Sequence, residues 1–571
     1  MTRLPWSLRA MAGAVLALLP GAARAQGLTP GQAATPPAVV GWLAQPAGTV
    51  WVAPGAGQAW QPALANQPLS GGEIVATAPD GQATIEVMAM RALLGPGSEL
   101  ALGGLGASGL SATAVSGEVA LDLTNLPPGA NAEIATPRGT VEIARPGRYE
   151  IDVGGAGRPT VVTALDGAAS VVDGSAVENV GPGQSASFFG APNGGLAVTV
   201  SPAHPDPLLA ALIASSPPVP AVAPPPAVAE MTGGVNLASY GTWSVLPSYG
   251  TVWFPNVAVG WVPYRVGRWV FVPPWGWTWV DGDPWGFAPF HYGRWVQIGP
   301  RWGWVPVAPG IQASFGVPVY APALVHFFAA GSIGGVGVSV GISAGALASG
   351  LVGWVPLGPR EIYRPPYAVS PSYIREVNVY NVRNIEKIDV TRVLRNNVTI
   401  NSLVNRDAVT TVPAAVLAEG RPVLPAYRRP APATVAVLRP LPDGPPVRPG
   451  PHAVLGEVRG APPPERFVEP HSPPRTALRV APVPLPHPPS GPPRPAGPPR
   501  PAVVHAPPPP ERPNAPAAQS YHPVVVHPPA AEPYHPPSGP PRPAVARPPP
   551  HPAPPPRERP QRPPGQNQLQ N

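Results

Sequence analysis

Two related stretches decide how this chain folds. Residues 260–270 read GWVPYRVGRWV, and residues 286–296 read GFAPFHYGRWV. The two stretches begin 26 residues apart within residues 240–307, which hold 11 of the 16 tryptophans. Self-similarity at a fixed interval of this length is typical of a repeated structural unit. The centre of the chain is therefore predicted to be a tandem repeat.

The tryptophans extend the same interval beyond the two copies. Trp243, Trp269 and Trp295 are 26 residues apart, whereas Trp302 and Trp304 fall one position early, so the third unit lacks one residue near its end. Two aromatic-rich segments per unit predict a repeated β-hairpin. A unit of this size cannot bury a core alone, so neighbouring hairpins must share one. A glycine beside a tryptophan, as in Gly260-Trp261, lets the flat ring lie against the backbone.

The function of so many indoles has two interpretations. Side chains at alternate positions of a strand share one face, which groups Trp275, Trp277 and Trp279. The first interpretation is an exposed aromatic platform that stacks on sugar rings or holds a partner chain; the second is a buried core. The candidate platform residues are Trp269, Trp275, Trp277, Trp279, Trp285, Trp295 and Tyr292.

Residues 39–200 show the pattern of short β-strands. Polar and apolar residues alternate in Thr84–Met88 and again in Tyr149–Val153. Turn signals such as Pro79-Asp80-Gly81 recur every 8–12 residues. Alternation with turns at this spacing predicts a small all-β domain.

A series of short motifs follows in order along this domain: Val75–Thr77, Gly81–Ile85, Gly117–Leu121, Thr136–Gly139, Gly147–Ile151, Ala164–Ala168 and Gly183-Gln184. In these motifs the domain resembles the FecR domain of bacterial envelope proteins. The resemblance implies a small β domain outside the cytoplasmic membrane that senses or binds. In signalling members the domain follows a cytoplasmic anti-sigma segment and a membrane helix, whereas here a predicted signal sequence precedes it.

The repeat region, with its boundaries at 233–420, also resembles a known family. It is similar to the Trp-rich domain of unknown function that often follows a FecR domain in proteobacterial envelope proteins. That family implies no particular activity. Besides the two repeat copies, the matching marks are YGTW at 240–243, Gly353–Tyr363 and Asn405–Pro413.

The ends of the chain have their own signatures. Residues 1–25 have a basic start, a short apolar run and Ala23-Arg24-Ala25 before the predicted cleavage site, as in a secretory signal peptide. Residues 26–38 form a short leader. A periplasmic or extracellular location is therefore expected. The uncharged stretch 327–359 alternates Val with Gly and Ser, which favours strands over a membrane helix, so no stable membrane span is expected after signal cleavage.

Two segments are predicted to lie outside the domains. Residues 201–232 are rich in Pro and Ala and predict an extended linker. Residues 421–571 contain 52 of the 97 prolines, with 17 Arg against 7 acidic residues, and predict a disordered tail. This tail is interpreted either as a solvated spacer or as a cationic strand held by anionic envelope polymers.

Composition excludes several classes of function. The positive net charge of +7 comes from the tail, so the folded part gives no basis for nucleic-acid binding. With no cysteine and few histidines before the tail, neither a metal site nor a cofactor is expected. The motifs G-x-S-x-G at 337–341 and 341–345 lie in a Gly/Ser-rich run and lack the context of a hydrolase nucleophile. Asp281 and Asp283 are the candidate carboxylate pair for cation binding or acid–base chemistry, although a hairpin loop accounts for them better.

Together these observations favour an exported, non-enzymatic protein that binds or scaffolds envelope glycans or proteins. Two alternatives stay open. One is a periplasmic FecR-like sensor that acts with a membrane protein. The other is a carbohydrate-active enzyme, which requires acidic residues beside the tryptophans.

Overall fold

The computed structural model describes residues 36–455, except 156, 175, 191–195, 312–315, 331–349, 388, 390–397, 433–434 and 436–437. Strands dominate this part, which confirms the predicted mainly β class. The predicted signal peptide, the start of the predicted leader, both G-x-S-x-G motifs and the part of the predicted tail beyond residue 455 lie outside the described residues.

The N-terminal domain is a β-sandwich of two nine-stranded sheets. The first sheet has the order β18-β17-β14-β13-β10-β7-β6-β1-β4, and the second has the order β16-β15-β12-β11-β9-β8-β5-β2-β3. Neighbouring strands are antiparallel except for the parallel pair β9 and β11. In chain order the strands are β1 (Gly41–Leu43), β2 (Val50–Ala53), β3 (Gln61–Pro62), β4 (Gln67–Leu69), β5 (Ile74–Thr77), β6 (Ala83–Val87), β7 (Met90–Leu94), β8 (Glu99–Gly106), β9 (Gly109–Ser116), β10 (Glu118–Asp122), β11 (Asn131–Thr136), β12 (Gly139–Ile143), β13 (Arg148–Asp152), β14 (Thr160–Ala164), β15 (Ala169–Asp173), β16 (Ala176–Val180), β17 (Gln184–Gly190) and β18 (Leu196–Pro202).

The alternation in sequence explains the sandwich core. Ile134 on β11 lies opposite Val141 on β12, and both are buried. Their strand neighbours Glu133 and Glu142 form the adjacent cross-strand pair and are exposed. Because side chains alternate between the faces of a strand, one face of each sheet contributes to a single apolar core between the sheets.

The prediction that residues 201–232 form an extended linker is wrong. A helix, α1 (Pro207–Ala214), begins at Asp206, whose carboxylate accepts a hydrogen bond from Leu209 N at 2.9 Å. Leu209 and Leu212 are fully buried and pack against Ala120 on the outer face of the first sheet. The Pro/Ala composition concealed this short apolar helix.

The end of the same segment packs into the repeat domain. Thr232 donates a hydrogen bond to Val40 O at 2.8 Å and accepts one from Met88 N at 2.9 Å. Val228 and Met231 are buried in the core of the repeat domain. The segment therefore joins the two domains through buried contacts.

A tryptophan of the sandwich completes this interface. Trp42 on β1 is 1% exposed and belongs to the aromatic core of the repeat domain. Its ring stacks on Phe287 with centroids 5.6 Å apart, and its indole N–H donates to Asn66 Oδ1 at 3.0 Å. Asn66 in turn donates to the backbone oxygens of Asp281 and Asp283. Trp42 thus connects the two domains through a buried aromatic contact and through a hydrogen-bond network.

The 26-residue repeat corresponds to three β-hairpins, as predicted. Their strands, with the short helix α2 between the second and third hairpins, are β19 (Gly241–Leu246), β20 (Gly250–Pro255), β21 (Gly267–Val272), β22 (Gly276–Asp281), α2 (Ala288–His291), β23 (Arg294–Ile298) and β24 (Arg301–Val305). Each hairpin places two tryptophans opposite each other, and these cross-strand pairs are Trp243–Trp253, Trp269–Trp279 and Trp295–Trp304.

The residue missing from the third unit is missing from its turn. The first two hairpins turn through three residues each, 247–249 and 273–275. The third turns through Gly299 and Pro300 alone. The shorter turn restores the tryptophan pairing although the sequence interval changes.

A glycine at the start of each hairpin makes room for a ring. Gly293 has φ +67°, and a Cβ there would lie 2.4 Å from Trp304 Nε1. A Cβ at Gly267 would lie 2.6 Å from Trp279 Cζ2. Both distances are shorter than a non-bonded contact allows, so only glycine fits at these positions.

The three hairpins do not follow one another in chain order within one sheet. The first and third hairpins form one four-stranded sheet, β19-β20-β24-β23, through the pair Trp253–Trp304. The second hairpin is a separate two-stranded sheet. All three contribute tryptophans to one core, because bulky rings bury most area when hairpins close around them.

The remainder of the repeat domain is a four-stranded sheet, β27-β26-β25-β28, with short helices and 3-10 turns. The two ends of the uncharged stretch 327–359 form strands, and among the described residues no helix is both long and apolar enough to cross a bilayer. The elements are β25 (Val325–Ala330), β26 (Leu351–Pro356), α3 (Pro371–Glu376), β27 (Thr410–Pro413), α4 (Ala414–Ala418), α5 (Val423–Ala426) and β28 (Arg439–Pro440). The 3-10 turns of the chain are Pro226–Val228, Val235–Ser239, Ile385–Lys387, Ile400–Ser402 and Arg406–Ala408.

The repeat domain extends beyond its predicted end at residue 420. Val423 and Ala453 are fully buried in the aromatic core. β28 pairs with β25, and Phe271 N donates to Ala453 O at 2.6 Å. The prediction of a disordered tail from residue 421 is therefore wrong for the described residues of 421–455.

Candidate functional site

The structure buries every residue of the predicted aromatic platform. None of the seven side chains is more than 6% exposed. The prediction of an exposed platform is wrong, and the alternative of an aromatic core applies to all of them. The physical reason is that the hairpins close around their rings instead of presenting one face to water. The residues are Trp269, Trp275, Trp277, Trp279, Trp285, Trp295 and Tyr292.

The candidate carboxylate pair serves this core. Asp281 accepts hydrogen bonds from Trp279 Nε1 at 2.8 Å and from Asp283 N at 2.9 Å. Asp283 accepts one from Trp261 Nε1 at 3.2 Å. Burial, followed by the neighbouring Asp283, raises the pKa of Asp281 well above its usual value. Both carboxyl groups are thus structural partners of indoles.

One platform residue, Trp277, lies at the edge of the core and lines an open cavity. We call this cavity the Trp277 groove; its volume is about 270 Å³. Its walls come from β22, β25, β28, the segment 361–366 and the turn that contains Ser402. The apolar wall includes Trp277, Phe327, Phe328, Leu403, Pro440 and Leu441.

The charged side chains of the groove are already paired within the chain. Glu361 Oε1 accepts from Val404 N and Oε2 accepts from Gly358 N, both at 2.7 Å. Arg364 donates to the Asp443 carboxylate at 3.2 Å. The groove therefore offers an incoming molecule mainly apolar surface.

A histidine in the groove is neutral. Burial, with a smaller contribution from the positive charge of Arg294, lowers the pKa of His326 to about 4. In the part of the chain that is described, no three His, Asp or Glu side chains come close enough to hold a metal ion. The site thus suits uncharged, apolar ligand groups at neutral pH.

A buried arginine that sequence reasoning missed holds the wall of the groove. Arg294 is 1% exposed and donates to Glu361 O at 3.0 Å and to Asn378 Oδ1 at 2.8 Å. It also donates to Asn381 Oδ1 at 3.2 Å. Burial lowers its pKa to about 10, so it stays charged at neutral pH. Arg294 lies in the motif GRW, but Arg268 lies in the same motif and is partly exposed, so the motif alone does not predict a buried arginine.

A stretch that contains the three hairpins and one wall of the groove matches the model of a sequence family. Residues 234–361 match the family of unknown function DUF6600. The match begins before the first hairpin and ends at Glu361 in the groove wall. Among curated proteins, none matches the sequence of this chain.

Two solved structures are similar to part of the chain. Both are crystal structures of a putative anti-sigma factor from Parabacteroides distasonis, with 10% and 11% sequence identity. Each match covers 23% of this chain and 59% of the solved chain, with a TM-score of 0.20. This chain therefore spans less than two thirds of those proteins.

Proposed function

We propose that this chain is an exported, non-enzymatic scaffold protein of the bacterial cell envelope that binds proline-rich polypeptide in the Trp277 groove. The observation that carries the proposal is the composition of the groove. Aromatic rings and prolines form its walls, and its charged side chains are already paired. Export and the envelope location rest on the signal sequence and on the FecR-like pattern of residues 39–200.

The pairing of the charged groups favours polypeptide over glycan. A sugar ring presents several hydroxyl groups, and each needs a hydrogen-bond partner when it leaves water. Glu361 already accepts hydrogen bonds from two backbone N–H groups, and Arg364 is paired with Asp443, so the charged side chains of the groove leave few such partners. A polypeptide with apolar side chains needs fewer partners and gains from contact with Trp277 and Phe327.

A proline-rich ligand matches what already lies beside the groove. The segment 438–442 reads LRPLP, and its Leu441 N donates to Phe327 O at 2.8 Å. Pro440 and Leu441 then form one wall. Aromatic-lined grooves recognise polyproline segments because these lose little conformational entropy on binding. The same chain carries the sequence HPPSGPPRPA at 487–496 and at 535–544, which supplies a ligand of this chemistry.

The alternatives are less favoured by these contacts. A carbohydrate-active enzyme needs a pair of available carboxyl groups, and both Asp281 and Asp283 accept hydrogen bonds from indoles. A sensor role is compatible with the packing of Trp42 into the aromatic core, because that contact links the sandwich to the domain that contains the groove.

A photo-crosslinking experiment tests the proposal on the full chain. A benzoylphenylalanine in place of Ser402, which is exposed and lines the groove, is expected to cross-link to an added proline-rich polypeptide. The matched control is the same substitution at Asn401, which is exposed in the same turn but does not line the groove. Synthetic HPPSGPPRPA should compete, and a version with its prolines replaced by alanine should not. Equal cross-linking from the two positions, or no effect of the peptide, would contradict the proposal.

A further inference from the structure

A second cavity lies away from the groove, between β27 and the segment that follows α5. It has a volume of about 650 Å³, within the range of ordinary ligand sites. Arg421, Arg428 and Arg429 line it together with Thr411, and no carboxylate is among the described residues of its lining. We call it the arginine pocket.

Contacts with Arg265 and with the core of the repeat domain fix the backbone that carries these arginines. The guanidinium of Arg265 lies over the ring of Tyr427, 4.3 Å from the centroid. Arg265 also donates to Thr410 Oγ1 at 3.0 Å. Val423, at the start of α5, is fully buried. Tyr427 is therefore fixed against the repeat domain, and the two residues that follow it project from a supported position.

The positive charge of the pocket is only partly neutralised. Arg421 pairs with Glu419 at 2.8 Å, and both side chains are more than half exposed. Arg428 donates to the backbone oxygens of Pro425 and Tyr427, which carry no net charge. Among the described residues, the guanidinium of Arg429 forms no hydrogen bond and no ion pair. Burial lowers the pKa of Arg265, and the positive charge of Arg429 lowers it further.

We propose that the arginine pocket binds the oxyanion groups, phosphate or carboxylate, of an anionic envelope polymer. The planar guanidinium matches both groups through paired hydrogen bonds, and a bound anion relieves the repulsion among the arginines. The pocket is open, and its volume of about 650 Å³ has room for more than one anionic group, which suits a polymer with repeated charges. This binding is independent of the Trp277 groove, since the two sites share no lining residue.

The test measures binding of defined polyanions to the full chain. Polyphosphate supplies phosphate, polygalacturonate supplies carboxylate, and dextran is the neutral reference. The variant Arg428→Gln/Arg429→Gln removes two charges from exposed positions, so the fold is expected to persist, as a circular dichroism spectrum checks. The matched control Arg547→Gln/Arg557→Gln removes two charges from the proline-rich tail. Binding is measured by calorimetry at about 50 and 200 mM salt.

The pocket variant is expected to weaken binding of at least one polyanion by about tenfold or more, because charged hydrogen bonds are lost. The tail control is expected to change it by less than about twofold. A loss confined to polyphosphate or to polygalacturonate identifies the preferred oxyanion. Equal losses in the two variants would assign binding to net charge and overturn the proposal, as would the absence of binding to both polyanions.

Discussion

Replacing Trp42 with alanine tests how the two domains are joined. Trp42 belongs to a strand of the sandwich, but its ring is 1% exposed within the aromatic core of the repeat domain. A buried indole covers about 150–250 Å². At about 25 cal/mol per Å², this area corresponds to about 4–6 kcal/mol, which is an upper limit because unfolded chains already bury some surface.

The expected loss of unfolding free energy is about 4 kcal/mol, close to values typical of large-to-small changes in cores. About 1 kcal/mol of it comes from the hydrogen bond to Asn66. Because the ring also stacks on Phe287, we expect the sandwich and the repeat domain of the Trp42→Ala variant to unfold in separate transitions. Urea unfolding followed by circular dichroism and by tryptophan fluorescence measures both effects.

Two controls make the result interpretable. Trp42→Phe keeps a ring against Phe287 and removes the indole N–H, so it should cost about 1–2 kcal/mol and keep one transition. Val141→Ala lies in the sandwich core, away from the interface, and should destabilise the sandwich without changing the coupling. A single transition in Trp42→Ala with a loss below about 1 kcal/mol would refute this account of the interface.

Four further predictions concern the core and its ionisable groups. Gly293→Ala should cost more than about 2 kcal/mol, measured by urea unfolding, because the new methyl group overlaps the ring of Trp304. Burial lowers the pKa of His291 to about 3, so the unfolded chain binds a proton at His291 that the folded chain does not bind between pH 6.5 and 3. Stability therefore falls as the pH drops through this range, and His291→Phe should reduce this loss in thermal melts. Burial and then the Asp206 side chain raise the pKa of Glu150 to about 9, so stability falls as pH rises from about 4.5 to 9, and melts of Glu150→Gln should lose that slope. Arg294→Leu should cost about 3 kcal/mol or more by the same urea assay, because buried amide and carbonyl oxygens lose their donor, whereas an unchanged stability would contradict its role in the wall.

The hairpins could be read from the sequence because their determinants are local. The 26-residue interval between Trp243, Trp269 and Trp295 covers one hairpin and the connection to the next hairpin. The strand, the turn and the returning strand of each hairpin lie within a single unit. The alternation in residues 39–200 likewise records which side of each strand is buried. Even the shortened third unit is a local event, since the missing residue belongs to a turn.

The burial of the tryptophans depended on contacts between distant parts of the chain. Trp277 and Trp279 share one face of β22. Whether that face meets water is decided by β25, β26 and the described residues of 421–455. A strand pattern carries no information about what covers it, so the platform and the core had the same sequence signature. The proline-rich composition of 421–455 concealed a segment whose described residues pack into the aromatic core, as Val423 and Ala453 do.

The groove and the arginine pocket arise at the same level of organisation. Phe327, Glu361 and Pro440 are far apart in sequence and meet only because β28 pairs with β25. Arg428 and Arg429 line the arginine pocket next to Tyr427, whose ring is contacted by Arg265 from the distant segment before β21. Sequence by itself determined the strands, their turns and their pairing within units, because backbone periodicity and turn chemistry act over a few residues. Tertiary structure alone decided which surfaces stay open, because burial is set by whichever distant segments pack there.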